Sequence, residues 1–208
     1  AGKRSQVAVY GVASSKSTMI SKSGTTQKPT YGYAPKLTSL KVTTSGTSVP
    51  TNCAVDKSCD LTVYMVAGIE TSQHFFNDFI TEIEKKYDSE GMNVHIARIF
   101  PYGDNSENML SQMIDVRHDF GLSVNKDHKS IGGQNARADM KENYGGGEIV
   151  IVGHSGGGVA GYHAGKMLEE LDGYDVNHIV QIGSPKVKIA PSFQDRVSFI
   201  YDKWDPVP

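Results

Sequence analysis

The pentapeptide Gly153-His154-Ser155-Gly156-Gly157 is the segment of this 208-residue chain best suited to covalent chemistry. It follows the apolar run Glu148–Val152 and precedes a stretch with Val159, Ala160, Ala164, Met167, Leu168 and Leu171 at helical spacing. A serine on a sharp strand-to-helix turn has its hydroxyl lifted clear of the sheet edge, where it can attack an electrophilic carbon. Gly153 and Gly157 let the two legs of such a turn approach without Cβ clashes. Gly156, opening the helix, would turn an unpaired N–H and the positive end of the helix dipole toward a developing oxyanion. The chemistry such a turn suits is acyl transfer. His154 precedes the serine; adjacent residues on a tight turn point apart, so it reads as a supporting residue and not as the general base.

A dinucleotide site is the nearest rival. Gly156-Gly157-Gly158-Val159-Ala160-Gly161 satisfies Gly-x-Gly-x-x-Gly between a strand and a helix. The register argues against it, because the strand end is held by Gly153, which puts Ser155 where the second glycine belongs. The next strand runs into Gly183-Ser184-Pro185 with no acid for a ribose, and no Lys-Ser or Lys-Thr pair follows the glycines to make a P-loop. A tight turn with an incidental serine is the plainest alternative.

The turn needs a scaffold, and from Asp60 onward the pattern supplies one. Leu61–Ala67 is a β-rich apolar run, followed by a helix with Phe75, Phe76, Phe79, Ile80, Ile83 and Tyr87 on one face and Thr71 or Ser72 as N-cap. Asn93–Phe100 reads as a strand, Glu107–His118 and Gln134–Tyr144 as helices, and His178–Ile182 and Arg196–Tyr201 as further strands. Near-continuous apolar strands alternating with helices predict an α/β fold, a mostly parallel central sheet with helices on both faces in three layers. The chain divides into an N-terminal segment 1–59 and a core 60–208. In the former, Ser and Thr exceed two fifths of the residues from Ala13 to Thr51, and edge strands are expected at Gln6–Val12 and Lys36–Thr44.

Composition narrows the function classes. Lys+Arg at 21 against Asp+Glu at 23 gives a net charge of −2, which speaks against a nucleic-acid binder with a broad cationic surface. No apolar run approaches the roughly 18 residues of a membrane helix, and the mean hydropathy is −0.36. No Cys/His cluster has zinc spacing, so neither a metal nor another cofactor is expected. Cys53 and Cys59 enclose a loop short enough for a local disulfide, which gives a lean toward a secreted or cell-surface location. Oligomeric state is not legible.

From Asp60 to Pro208 the chain resembles the α/β-hydrolase superfamily, in its lipase-like or esterase-like branch. The resemblance rests on the strand ending at Ala67-Gly68-Ile69, the Ser155 pentapeptide, the strand ending at Gly183-Ser184-Pro185, and Asp205-Pro206-Val207-Pro208. It implies Ser155 as nucleophile, Asp205 as the acid that orients a histidine, and the N–H groups of Gly156 and Ile69 as oxyanion donors, with Gly68 supporting the loop. Asp202 is the alternative acid. Ala67 departs from the pattern, since many lipases carry His before that glycine. The implied substrate is a small-molecule or lipid ester. Residues 1–59 resemble no family.

The resemblance also implies a histidine after the acid, and all seven histidines (His74, His95, His118, His128, His154, His163 and His178) precede Asp205. His74 lies near the oxyanion loop, His118 and His128 flank a polar stretch, Asp119–Gly133, that could form a lid, and His163 and His178 read as helix-surface and strand-start residues. Three expectations follow: a chain lacking its last strand and histidine, a rearranged triad, or a hydrolase-fold binding protein without turnover. An acyltransferase or thioesterase would share the first half-reaction.

Overall fold

The computed structural model describes Val7–Gly11 and residues 53–103, 108–122 and 126–202; Asp205 and the strand expected at Lys36–Thr44 lie outside these residues. Among the described residues six strands form one sheet: β1 (Val7–Gly11), β2 (Leu61–Val66), β3 (Val94–Ile99), β4 (Glu148–His154), β5 (Val176–Ile182) and β6 (Val197–Asp202). Their order is β1-β6-β5-β4-β2-β3. All neighbours from β6 to β3 are parallel, and β1 alone runs antiparallel, along β6. The outer edge of β6 is therefore paired, through a register running from Val7 with Asp202 to Gly11 with Ser198.

Among the described residues five α-helices accompany the strands: α1 (Cys53–Asp56), α2 (Asn77–Asp88), α3 (Met109–Phe120), α4 (Ile131–Glu142) and α5 (Gly156–Asp172). The two-residue period of β2 divides them between the faces. Tyr64 and Val66 pack with Ile149, Ile151 and Ile179 beneath α4 and α5, while Leu61, Val63 and Met65 pack under Phe76 and Ile80 of the α2 region. All six residues of β2 are buried, as expected of a strand covered on both faces. This is the three-layer α/β architecture expected from the alternation of elements.

Helix α5 lies close on the sheet because Gly157, Gly161 and Gly165 recur every four residues on its inner face. A Cβ on Gly157 would come within 2.2 Å of the Val66 carbonyl, and one on Gly165 within 2.8 Å of Ile151. The helix ends at Asp172, and Leu171 is exposed instead of joining the apolar face. Helix α2 starts later than expected, with Phe76 at the N-cap position. The Thr71 hydroxyl instead donates to the Ile69 carbonyl at 3.3 Å, and a turn between Ser72 and Phe76 brings Phe76 to 1% exposure while leaving Phe75 and Phe79 outside.

Cys53 and Cys59 form the disulfide expected of their spacing. It lies just before β2, with Cys59 N–H donating to Gly145 O at 3.1 Å, at the end of the sheet away from the Ser155 turn. Among the described residues no helix is long and apolar enough to cross a membrane, and no group of three or more His, Cys, Asp or Glu is placed to hold a metal ion.

Candidate active site

Strand order places the Ser155 turn where ligands bind in open parallel sheets. From β2 the chain moves outward to β3; from β4 it moves the other way to β5 and β6. The carboxyl ends of β2 and β4 thus border a crevice at a topological switch point. Ile69 follows one of them and Ser155 the other.

Ser155 has φ 53° and ψ −130°, and it is one of three non-glycine residues with positive φ among those described. This region costs an L-residue about 1–3 kcal/mol and persists only where surrounding structure enforces it. Here the enforcement is visible. Ser155 N–H donates to Ile182 O at 2.9 Å, and its carbonyl accepts from Gly158 N–H at 3.0 Å. A Cβ on Gly153 would stand 2.5 Å from the Gly157 carbonyl, so the incoming strand and outgoing helix touch through bare backbone. The serine side chain makes no capping hydrogen bond to α5, although it occupies the N-cap position where serine ordinarily does so. Its hydroxyl is therefore not spent on the helix.

The loop after β2 closes against this turn. A Cβ on Gly68 would lie 2.9 Å from Ser155 Cβ and 3.2 Å from Gly156 N. The two peptides expected to supply oxyanion donors, those carrying the N–H groups of Ile69 and Gly156, are thereby brought together. As the first residue of α5, Gly156 has no acceptor for its N–H within the helix. His154 is half-buried with its ring 4.6 Å from that of Phe75, a packing contact that suits a supporting role.

Asp202 is the last residue of β6 and stays within the sheet, where it pairs with Val7. Two histidines differ from expectation. His163 is 2% exposed and not on a helix surface: its Nδ1 lies 2.7 Å from Asp127 Oδ1 and its Nε2 3.3 Å from the Asp119 carbonyl. His178 is the third residue of β5 and is buried, with Nε2 2.8 Å from Ser198 Oγ; burial holds its imidazole below the usual histidine range. Both rings are engaged away from Ser155. His74, His118 and His128 are exposed, and His95 lies in β3, against Gly145.

The polar groups that sequence reasoning missed lie on and around α3. Gln112, 2% exposed, accepts the Glu70 N–H at 2.9 Å, and Val116 packs where a Cβ on Gly156 would meet it at 2.8 Å. Asp119, fully buried, accepts from Ile131 N–H and Gly132 N–H, both at 2.7 Å, and from the Tyr102 hydroxyl at 2.9 Å. Asp127 accepts from Lys166 Nζ at 2.7 Å as well as facing His163. The described residues of the stretch Asp119–Gly133 are thus anchored at Asp119, Asp127 and, through its bond to Gly133 N–H, Ser130. The one available signal was the spacing of Gln112, Val116 and Asp119, which share a helix face on a segment whose large apolar residues (Met109, Leu110, Met113, Ile114) turn outward.

Residues 51–206 match a family described as alpha/beta hydrolase of unknown function (DUF915). Among solved structures the chain is similar to a lipase-esterase related protein from Clostridium acetobutylicum ATCC 824, at 15% identity and a TM-score of 0.37. That similarity covers 62% of this chain and 44% of the other, so the chain spans less than half the length of that relative. No curated protein matches the sequence.

Proposed function

Given that the chain belongs to the alpha/beta hydrolase family of unknown function (DUF915), we propose that it cleaves a carboxylic ester through an acyl-enzyme on Ser155. The observation that carries this reading is the strained backbone of Ser155, held at a switch-point crevice against Gly68 with its hydroxyl not used as a helix cap. Strain of this kind at a surface crevice makes sense where it serves function.

In the proposed cycle Ser155 Oγ attacks the ester carbonyl carbon as a histidine takes its proton. The N–H groups of Ile69 and Gly156 stabilise the oxyanion of the tetrahedral intermediate. Collapse breaks the bond to the alkoxy oxygen, which leaves as the alcohol with the histidine's proton. Water then attacks the acyl-enzyme by the same steps in reverse, releasing the acid. Asp205 is the proposed partner of that histidine, holding its tautomer and stabilising the imidazolium; Asp202 is the alternative. Small-molecule and lipid esters are the proposed substrates, and the Cys53–Cys59 disulfide supports an exported location.

Fluorophosphonate labelling and p-nitrophenyl ester hydrolysis by the full-length protein test the proposal. Labelling and turnover lost together in Ser155→Ala support it, and labelling unchanged in that variant removes the nucleophile. Labelling without release of acid, with the acyl group passing to an added alcohol or amine, would mark an acyltransferase. A folded protein that binds esters without labelling would be a hydrolase-fold binding module.

A further inference from the structure

Glu70, like Ser155, is a non-glycine residue with positive φ (51°), and it stands two residues beyond Gly68. Nothing in its side chain accounts for this conformation, since Glu70 is exposed. The peptide between Ile69 and Glu70 is held from both ends instead. Its N–H donates to Gln112 Oε1 at 2.9 Å, and its carbonyl accepts from the Thr71 hydroxyl at 3.3 Å. The preceding peptide, which carries the Ile69 N–H, is thus confined between a fixed successor and Gly68, whose backbone abuts Ser155.

Gln112 reaches this peptide from α3, 42 residues away in the chain, and its amide is buried. Val116, one turn further along the same face, packs on Gly156. One helix face therefore touches Gly156 and the peptide next to the one that carries the Ile69 N–H. Asp119, on the same face again, ties the end of α3 to the start of α4 through Ile131 and Gly132. The helix that grips the donor pair is itself fixed.

We propose that Gln112 is a positioning residue for the oxyanion hole: by accepting the Glu70 N–H it sets the orientation of the Ile69 N–H relative to Ser155. This rests on the reading of Ser155 as nucleophile. Gln112 does not touch substrate; it acts through the loop. An oxyanion donor contributes about 10²–10³-fold to kcat, and loosening one without deleting it forfeits part of that factor.

The test compares Gln112→Met, which keeps the length and loses the acceptor, with Gln112→Glu, which keeps an oxygen in reach of the Glu70 N–H. Both are assayed in the full-length protein on a short p-nitrophenyl ester beside wild type and Ser155→Ala. Gln112→Met is expected to lower kcat about 10- to 100-fold with KM within about threefold, and to weaken a trifluoromethyl ketone inhibitor by the same factor as kcat/KM. Gln112→Glu is expected to recover most of the kcat. Should Gln112→Met not fold, Gln112→Asn, one methylene too short to reach, takes its place. If Ser155→Ala is inert while the acceptor-less variant turns over at the wild-type rate, or loses kcat without weakening the ketone, the positioning role is overturned and the nucleophile stands. If Ser155→Ala keeps wild-type turnover, both readings fall.

Discussion

A Cβ placed on Gly68 would come within 2.9 Å of the Cβ of Ser155. The end of β2 and the turn after β4 thus meet through backbone, with no space for a methyl group between them. The same methyl would also lie 2.9 Å from the His154 carbonyl and 3.2 Å from Gly156 N. Gly68→Ala must displace one of the two segments. The expected outcome is a fall of about 100-fold in ester turnover, the usual cost of misplacing reacting groups by an ångström. The accompanying loss of stability should be only about 1–3 kcal/mol. Kinetics and urea unfolding on the same preparation check it.

Replacing Ser155 with glycine and with alanine separates chemistry from strain. Both variants lack the hydroxyl and should be inert. Only glycine adopts φ 53°, ψ −130° without a steric penalty. Relief of about 1–3 kcal/mol of strain, less about 0.4–1 kcal/mol of added unfolded-state entropy, leaves the glycine variant more stable than the alanine variant by roughly 1 kcal/mol. Equal unfolding midpoints would show that the turn is not strained.

Asp127 is the electrostatic centre of the face beneath α5. Burial pushes its carboxyl up, but the hydrogen bonds from His163 and Lys166 and their charges outweigh burial and hold it below the usual carboxylate range. Burial likewise lowers Lys166, and its bonds to Asp127 and Glu170 more than restore it, leaving it raised. Asp127→Ala takes away the buried acceptor of Lys166 and leaves its ammonium only the more exposed Glu170; it should cost about 3 kcal/mol, the low end of the loss on breaking a buried pair. The depressed carboxyl stabilises the fold above the unfolded carboxylate range and stops doing so as pH falls through its lower folded value. The raised ammonium does so below the unfolded lysine range and stops as pH rises through its higher folded value. The stability gap between wild type and variant should therefore be full between about pH 4 and 10 and shrink on either side; denaturant titrations across that range measure it.

Asp172 carries a smaller and more accessible device. The hydrogen bond from Arg137 and, against the effect of burial, that from Lys141 lower its carboxyl to about 2. The pair lies near the surface, so solvent screening limits the effect of Asp172→Asn to about 0.5–1 kcal/mol at pH 7. Since the folded pKa is depressed, that difference should persist above about pH 4 and disappear as pH falls toward 2. High salt should shrink it at neutral pH.

The Cys53–Cys59 bridge closes a loop with a sequence separation of 6. Chain entropy alone gives such a loop about 2 kcal/mol. Reduction, or Cys53→Ser with Cys59→Ser, should lower the melting temperature. Ester turnover at 25 °C should not change, because the bridge precedes β2 and Ser155 follows the opposite ends of the strands. Equal loss of both would show that the bridge communicates with the site.

The alternation of strands and helices, the Ser155 turn and the cysteine pair were legible because each is local. A two-residue period against a 3.6-residue one marks β2 and α5, and glycines flanking a serine between them mark the turn. Helix starts were less legible, since the Thr71 hydroxyl donates to Ile69 O and does not accept from a helical N–H as an N-cap would. What only the tertiary structure decided is non-local. The pairing of β1 with β6 spans nearly the whole chain, and the switch point depends on β2 and β4 becoming neighbours across the 81 residues that separate them (67 to 147). Gln112 meets Glu70 across 42 positions, and Asp127 meets His163 across 36. A polar residue within a helix reads as solvent-exposed by default, because burying it is costly unless a partner waits. The partners of Gln112, His163 and Lys166 are supplied by other elements. Their burial, and with it the support under the Ser155 turn, comes into existence only when the layers close.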